Sequence, residues 1–243
     1  MPDSNAGKWA LHAKNEGPCT RLLGKQMIIF IFVSTPKAIW SENAISDFFN
    51  VHANKTVTNL QRQAAKYGRS LQLQLRYFHQ TLDHEVKATD YALFSEVFQK
   101  QFHNEDLPHL CEYYTQHFGI DGVGFALVLR EGGRSFARSC HTEQAFRNEH
   151  VVLRIGRDAS NVENTIMHEL LHLYGAIDLY YPEKVAQAAA TYYPNSVMYN
   201  PAHAEVDGLT AYLIGWTDKT DQYSQYFIDL IEWIGPYDPP KIN

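Results

Sequence analysis

The sequence predicts an α+β fold: a twisted mixed sheet with long helices, followed by a loop-rich segment carrying two further helices. Three observations lead there. The first eighty residues read strand, helix, strand. Short runs of β-branched and aromatic residues recur as far as Ile155 and then stop. The chain changes character once, near Gly175, from strands and helices to loops and helices.

Each element has a local reason. Residues 1–20 are polar with Gly and Pro, and read as a flexible arm. Met27 to Val33 is a run of β-branched and aromatic side chains, the pattern of a buried strand over 27–34 that stops at Pro36. Ile45, Phe49, Ala53, Val57, Leu60, Ala64 and Tyr67 recur at steps of three and four, predicting one long amphipathic helix that ends at Gly68. Leu71, Leu73, Leu75 and Tyr77 alternate with polar residues, a half-buried strand. A β–α–β start favours a parallel pair. Two short helices are expected over 90–118, around Asp106-Leu107-Pro108, then a strand from Val123 to Leu129. Glu131-Gly132-Gly133 suggests a hairpin into Ser135–Arg138, and Val151 to Ile155 is a further strand. A helix starts near Ser160. Beyond Gly175 come a Tyr/Pro-rich loop over 180–202 and helices near 205–216 and 221–234.

Composition narrows the function. The chain of 243 residues is 45% hydrophobic and 13% aromatic, enough apolar surface to offset the entropy of ordering it. A net charge of -6 leaves no basic footprint for nucleic acid or an anionic membrane. Met27 to Val33 is far too short for a membrane span. With no evident leader, the chain is expected to be cytoplasmic or exported by a route that the sequence does not announce. Cys19, Cys111 and Cys140 form no C-x-x-C pair, which excludes a four-thiolate zinc site or an iron–sulfur cluster within one chain. A bound metal must rest on His and carboxylates.

One segment carries chemistry: Ser160 to Asp178, SNVENTIMHELLHLYGAID. Ser160 and Glu163 match a capping box that opens a helix. His168 and His172 then lie one turn apart on the same face, where two imidazole nitrogens reach one ion. Glu169 lies beside that pair, placed to take a proton from water: the H-E-x-x-H pattern of zinc peptidases. Alone, the pattern arises in about 3% of shuffled chains of this composition. Requiring Gly175 and Asp178 as well lowers that to roughly 1 in 10,000. Gly175 permits a sharp turn, after which Asp178 swings back under the helix as a third ligand, leaving a fourth position for water. Glu183, Glu205 and His203 are the rival ligands.

HELLHLYGAID resembles the metzincin metallopeptidases, in particular the snapalysin-like branch, in which Asp replaces the commoner third His. That resemblance implies a zincin-type α+β fold and a single catalytic domain over 21–243. An upper lobe spans about 21–175 and a lower lobe about 176–243, with one catalytic zinc ion at their seam. It also implies a methionine-containing turn beneath the metal, which Asn195-Ser196-Val197-Met198-Tyr199 fits. Some relatives place a tyrosine near the metal two residues after that methionine. Here that position is Asn200, so Tyr199, Tyr193 and Tyr192 are the candidates for stabilising the transition state.

The expected activity is that of a zinc endopeptidase acting on an extended peptide or protein. The metal polarises the scissile carbonyl, and Glu169 deprotonates the attacking water and passes the proton to the leaving amine. In metzincins an edge strand pairs with the extended substrate; the resemblance makes Val123 to Leu129 the candidate for that strand, and a central core strand is the equal alternative. The alternatives are a zinc domain used for binding and a zinc hydrolase of a non-protein amide. Oligomeric state is left open. Some metzincins are kept latent by an N-terminal cysteine; Cys19 invites comparison, although a buried or idle thiol fits its surroundings better.

Overall fold

The computed structural model describes residues 18–86, 91–103, 106–138, 149–156 and 159–234. Most of the expected N-terminal arm, residues 1–17, lies outside the described residues. Where the chain enters them, Cys19 and Leu22 are already packed in the core. The Cys19 thiol donates to the Val123 carbonyl at 3.3 Å. It is a buried side chain on the sheet, not a group at a metal.

The architecture is α+β, around a five-stranded sheet. β1 (Gly24–Ser34) pairs in parallel with β2 (Leu71–Thr81) and with β3 (Gly122–Leu129). β5 (His150–Arg154) adds in parallel to β3, and β4 (Phe136–Arg138) closes the far edge antiparallel to β5. The order is β2-β1-β3-β5-β4. Every residue of β3 and nearly every residue of β1 is buried, as a strand covered on both faces requires. Ile28, Phe30 and Phe32 face one core cluster; Met27, Ile29, Ile31 and Val33 face the other.

Two expectations fail here. The Glu131-Gly132-Gly133 turn does not make a hairpin: β4 pairs with β5, through Phe136↔Val152, Ala137↔Val151 and Arg138↔His150. β3 is already paired on both sides, so the chain must step over one strand position. For the same reason Val123 to Leu129 is no edge; the edges are β2 and β4.

The long helix is interrupted. α1 (Glu42–Asp47) runs into a π-helical turn (Phe48–Ala53) and then α2 (Asn54–Lys66). The buried face steps by five residues from Phe48 to Ala53, the signature of one wide turn. Beyond it the face falls on Thr56, Leu60 and Ala64, and Val57 is only half-buried. Thr56 earns its buried place by donating to the carbonyl of Glu163 at 2.9 Å. On the opposite face of the sheet lie α3 (Tyr91–Phe102) and α4 (Leu107–Phe118), separated at Asp106 as expected.

α5 (Val162–Leu173) carries the H-E-x-x-H segment and is buried around most of its circumference. Its start differs from the expected capping box. The N-cap is Asn161, in left-handed conformation and with no side-chain cap, while Glu163 turns to His52 at 3.2 Å and Lys55 at 3.9 Å. The expected loop over 180–202 contains a helix, α6 (Glu183–Tyr192), and the helix near 205–216 shortens to α7 (Gly208–Leu213); α8 (Gln222–Ile234) follows. Among the described residues no helix is long and apolar enough to cross a membrane.

The C-terminal segment is tied to the N-terminal part of the chain by hydrogen bonds from buried and half-buried side chains. The Trp216 indole donates to Leu22 O at 2.7 Å, Tyr67 donates to Val206 O at 2.9 Å, and Gln63 to Ala204 O at 3.0 Å. Trp216 is among the largest fully buried side chains. Trp216→Ala, which opens a cavity and orphans the Leu22 carbonyl, is expected to destabilise the fold by about 3–5 kcal/mol, read as a shift in the urea midpoint.

Candidate metal centre

The site grows from the C-terminal half of α5 and the turn beyond it. Gly175 has φ +97°, a conformation that a side chain disfavours, and it reverses the chain directly after the helix. The reversal brings the Ala176 carbonyl to His172 Nδ1 at 2.8 Å. The second imidazole is held from the lower segment: His168 Nδ1 lies 3.0 Å from the Val197 carbonyl. A carbonyl can only accept, so each Nδ1 carries the proton and each Nε2 keeps its lone pair in the neutral ring.

Those two lone pairs face each other and a carboxylate oxygen. His168 Nε2 and His172 Nε2 are 3.2 Å apart. Asp178 Oδ1 lies 3.2 Å from the first and 3.1 Å from the second. Oδ1 is buried and no neutral neighbour donates to it. Three acceptors in a triangle with edges of 3.1–3.2 Å repel unless a cation sits among them. Donors around a tetrahedral ion with bonds of about 2.0–2.1 Å are about 3.3–3.4 Å apart, so the triangle suits one face of such an ion. His172 and Asp178 keep side-chain exposures of 16% and 15%, which leaves one side open to solvent.

The electrostatics agree. Burial alone would lower His172, but the Asp178 carboxylate, by charge and by hydrogen bond, carries it from 6.5 up to about 9. Burial would raise Asp178; the two imidazoles instead hold it far below the usual carboxylate range. Without a metal, the site takes up a proton in its place.

Glu169 stands apart from the triangle. It is buried, has no hydrogen-bond donor among the described residues, and offers a carboxylate oxygen within 4.8 Å of both histidines. Burial raises its pKa, partly countered by the two histidines.

The methionine turn is bound into the same structure. Met198 is fully buried; its N–H donates to Ser196 Oγ at 3.1 Å, and its carbonyl accepts from Leu179 N at 2.9 Å. So one turn orients His168 through Val197 and holds Leu179, next to Asp178, through Met198. Ser196 in turn donates to the buried Asp207 at 2.6 Å, and Asp207 also accepts from the hydroxyl and the N–H of Thr210 as the cap of α7.

The tyrosine candidates fare differently. Tyr192 is exposed and stacks on Tyr223; Tyr193 stacks on Phe227 and engages Ser224. Tyr199 is half-buried against the core, with no described partner for its hydroxyl. Sequence reasoning missed Tyr180. Its hydroxyl donates to Asp178 Oδ2 at 2.7 Å, and its ring lies 6.2 Å from that of His168, inclined by 23°. Arg134 donates to that same hydroxyl. The two-residue step from Asp178 to Tyr180 was the available signal for Tyr180; nothing in the sequence pointed to Arg134. Of the rival ligands, Glu183 is exposed and accepts from Gln187, and Glu205 is exposed and engages the methionine turn through its backbone. His203 bonds through its backbone to Asn200.

No protein-family model matches the chain, and a comparison with curated proteins finds no match. Among solved structures, the chain is similar to metalloproteinase-II from Bacteroides fragilis. The identity is 13% and the TM-score 0.41, over 84% of this chain and 60% of that one. The chain thus spans less than two thirds of that protein's length. What the site can do follows from its own atoms.

Three outcomes are expected. In the metal-free protein, His172 contributes stability fully below pH 6.5, and that contribution is lost as pH rises through about 9. The melting temperature of the metal-free protein therefore falls across that window. Zinc binding at pH 7 releases about one proton, measurable by calorimetry in buffers of different ionisation enthalpy. Tyr180→Phe, which keeps the ring and frees Asp178 Oδ2, lowers zinc affinity by about tenfold or more in a competition titration.

Proposed function

We propose that this chain is a zinc-dependent endopeptidase of metzincin type, in the manner of the snapalysin-like branch. The observation that carries the proposal is the triangle of three donor atoms, His168 Nε2, His172 Nε2 and Asp178 Oδ1, on edges of 3.1–3.2 Å. In this proposal those three residues hold one zinc ion, within a single catalytic domain whose lobes meet at Gly175. Two nitrogens and one oxygen suit zinc better than a hard cation such as magnesium or calcium, which prefers oxygen alone.

Zinc bound there supplies Lewis acidity toward the scissile carbonyl and lowers the pKa of water. Glu169 is the general base. Its burial raises its affinity for a proton, and it has no competing hydrogen-bond donor among the described residues. It accepts the proton of the attacking water and delivers it to the leaving amine. A site that only stabilised a fold would need no such unengaged carboxylate beside it, which favours hydrolysis over a structural or binding role.

Gly175 and Met198 serve the site by shape: the one turns the chain, the other fills the floor and holds Leu179. Tyr199, with its hydroxyl unengaged, remains the proposed stabiliser of the transition state. β4 replaces β3 as the strand that would align an extended peptide, because it is an antiparallel edge joined through its preceding link to the metal centre.

The test is direct. Purified protein is expected to carry about one zinc per chain and to cleave a denatured protein until a chelator is added. Glu169→Gln is expected to retain zinc and lose about 10²–10⁴-fold in kcat. A wild type without zinc, or a fully active Glu169→Gln, would overturn the proposal.

A further inference from the structure

Arg134 is a fixed cation with unused donors at the metal centre. It lies in the link between β3 and β4, two residues before the edge strand begins at Phe136. Its guanidinium sits 5.7 Å from the centre of the Tyr180 ring and donates from Nη2 to the Tyr180 hydroxyl. The same nitrogen is 4.0 Å from Asp178 Oδ2, and the side chain is 50% exposed. Among the described residues, Nε and Nη1 have no partner.

Neutralising Asp178 does not account for this arrangement. Asp178 Oδ2 already accepts from Tyr180 at 2.7 Å, and Oδ1 faces the two imidazoles. A half-exposed pair at 4.0 Å contributes little on its own. What the contacts with Tyr180 do accomplish is to hold a long side chain in one orientation. That reduces the entropy lost when its remaining N–H groups engage a ligand.

The neighbourhood has the same sign. Residues 130–138, REGGRSFAR, carry three arginines and one glutamate in a chain of net charge -6. The glutamate, Glu131, is taken by Arg154 at 3.2 Å. Arg130 is committed to the Ile39 carbonyl at 2.7 Å. Arg134 is thus a cation with donors to spare beside the proposed zinc site, next to the strand where a peptide would lie.

We infer that Arg134 is a specificity-determining residue that binds a carboxylate of the substrate close to the scissile bond, so that the preferred substrates are acidic peptides. The inference rests on the endopeptidase proposal and adds the substrate class. A planar guanidinium receives a carboxylate through two parallel hydrogen bonds. That carboxylate could come from an Asp or Glu side chain or from a peptide's C-terminus.

Peptides of one length distinguish the sources. One series has blocked ends and Glu or Gln placed in turn at each position around the cleaved bond. Another has only neutral side chains and a free or amidated C-terminus. Each is assayed for kcat and KM with zinc-loaded wild type, and for binding to the zinc-loaded Glu169→Gln protein by fluorescence anisotropy. The expected result is a preference of about tenfold for Glu over Gln at one position, lying in KM and in the binding constant. Arg134→Met lowers binding and kcat/KM more for the Glu peptides than for the Gln peptides, so that the preference disappears; Arg134→Lys, retaining the charge without the planar fork, keeps part of it. A preference seen only for the free C-terminus supports the same contact with a terminal carboxylate.

No preference in wild type, or an Arg134→Met variant that loses zinc affinity and activity equally on Glu and Gln peptides, overturns the inference and leaves Arg134 as a support for Tyr180. If zinc-loaded wild type cleaves neither these peptides nor a denatured protein, the endopeptidase proposal falls instead. Binding of Glu against Gln peptides to the Glu169→Gln protein then still decides the role of Arg134.

Discussion

Two backbone carbonyls govern this molecule's chemistry. Ala176 and Val197 each accept a hydrogen bond from Nδ1 of one histidine, and by doing so they turn both Nε2 atoms toward Asp178. Had either ring been held through Nε2, its lone pair would point into the protein and no triangle would exist. The carbonyls come from different parts of the chain, one directly after the motif helix and one from the methionine turn. Setting the two tautomers therefore requires the helix, the glycine turn and the lower segment to be packed at once.

The rest of the fold can be understood as the frame that holds those carbonyls still. The parallel core of the sheet is covered on both faces, and α5 lies on one of them, buried around most of its circumference. Glu163, at its first turn, is held by His52 in the π-helical turn and by Thr56 in α2. At the other end the helix is fixed by Gly175. The lower segment is locked against the same core by Trp216 and by the Ser196–Asp207–Thr210 cluster. A polar cluster this deep is stable because every strong acceptor in it has a donor.

Much of this was legible in the sequence, and the reason is periodicity. Alternation or continuous β-branched runs marked four of the five strands near their places, the glycine turn at 132–133 pointed to the fifth with the wrong partner, and the spacing of His168, Glu169 and His172 identified the helix that matters. Relations across space were less visible. That β4 passes over β5, leaving β3 in the interior, depends on which strand edges are vacant. No one-dimensional pattern records that. α6 was missed because the side chains it buries, Val185, Ala188 and Ala189, are few and small, although alanine favours a helix by backbone preference. The Ser160–Glu163 box fitted its template but lost to a tertiary contact, since Glu163 gains more from His52 and Lys55 than from a free N–H. Arg134 lay beyond reach because it meets Asp178 only through the fold.

The Ser196–Asp207 hydrogen bond has a consequence for how the site comes into being. A chain emerging from a ribosome exposes His168, His172 and Asp178 well before Asp207. Until Asp207 and α7 are in place, the turn bearing Val197 is not fixed, and nothing sets the tautomer of His168. The ordered arrangement of His168, His172 and Asp178 is thus a property acquired late in synthesis. The nascent chain carries the motif before the contacts that order it exist.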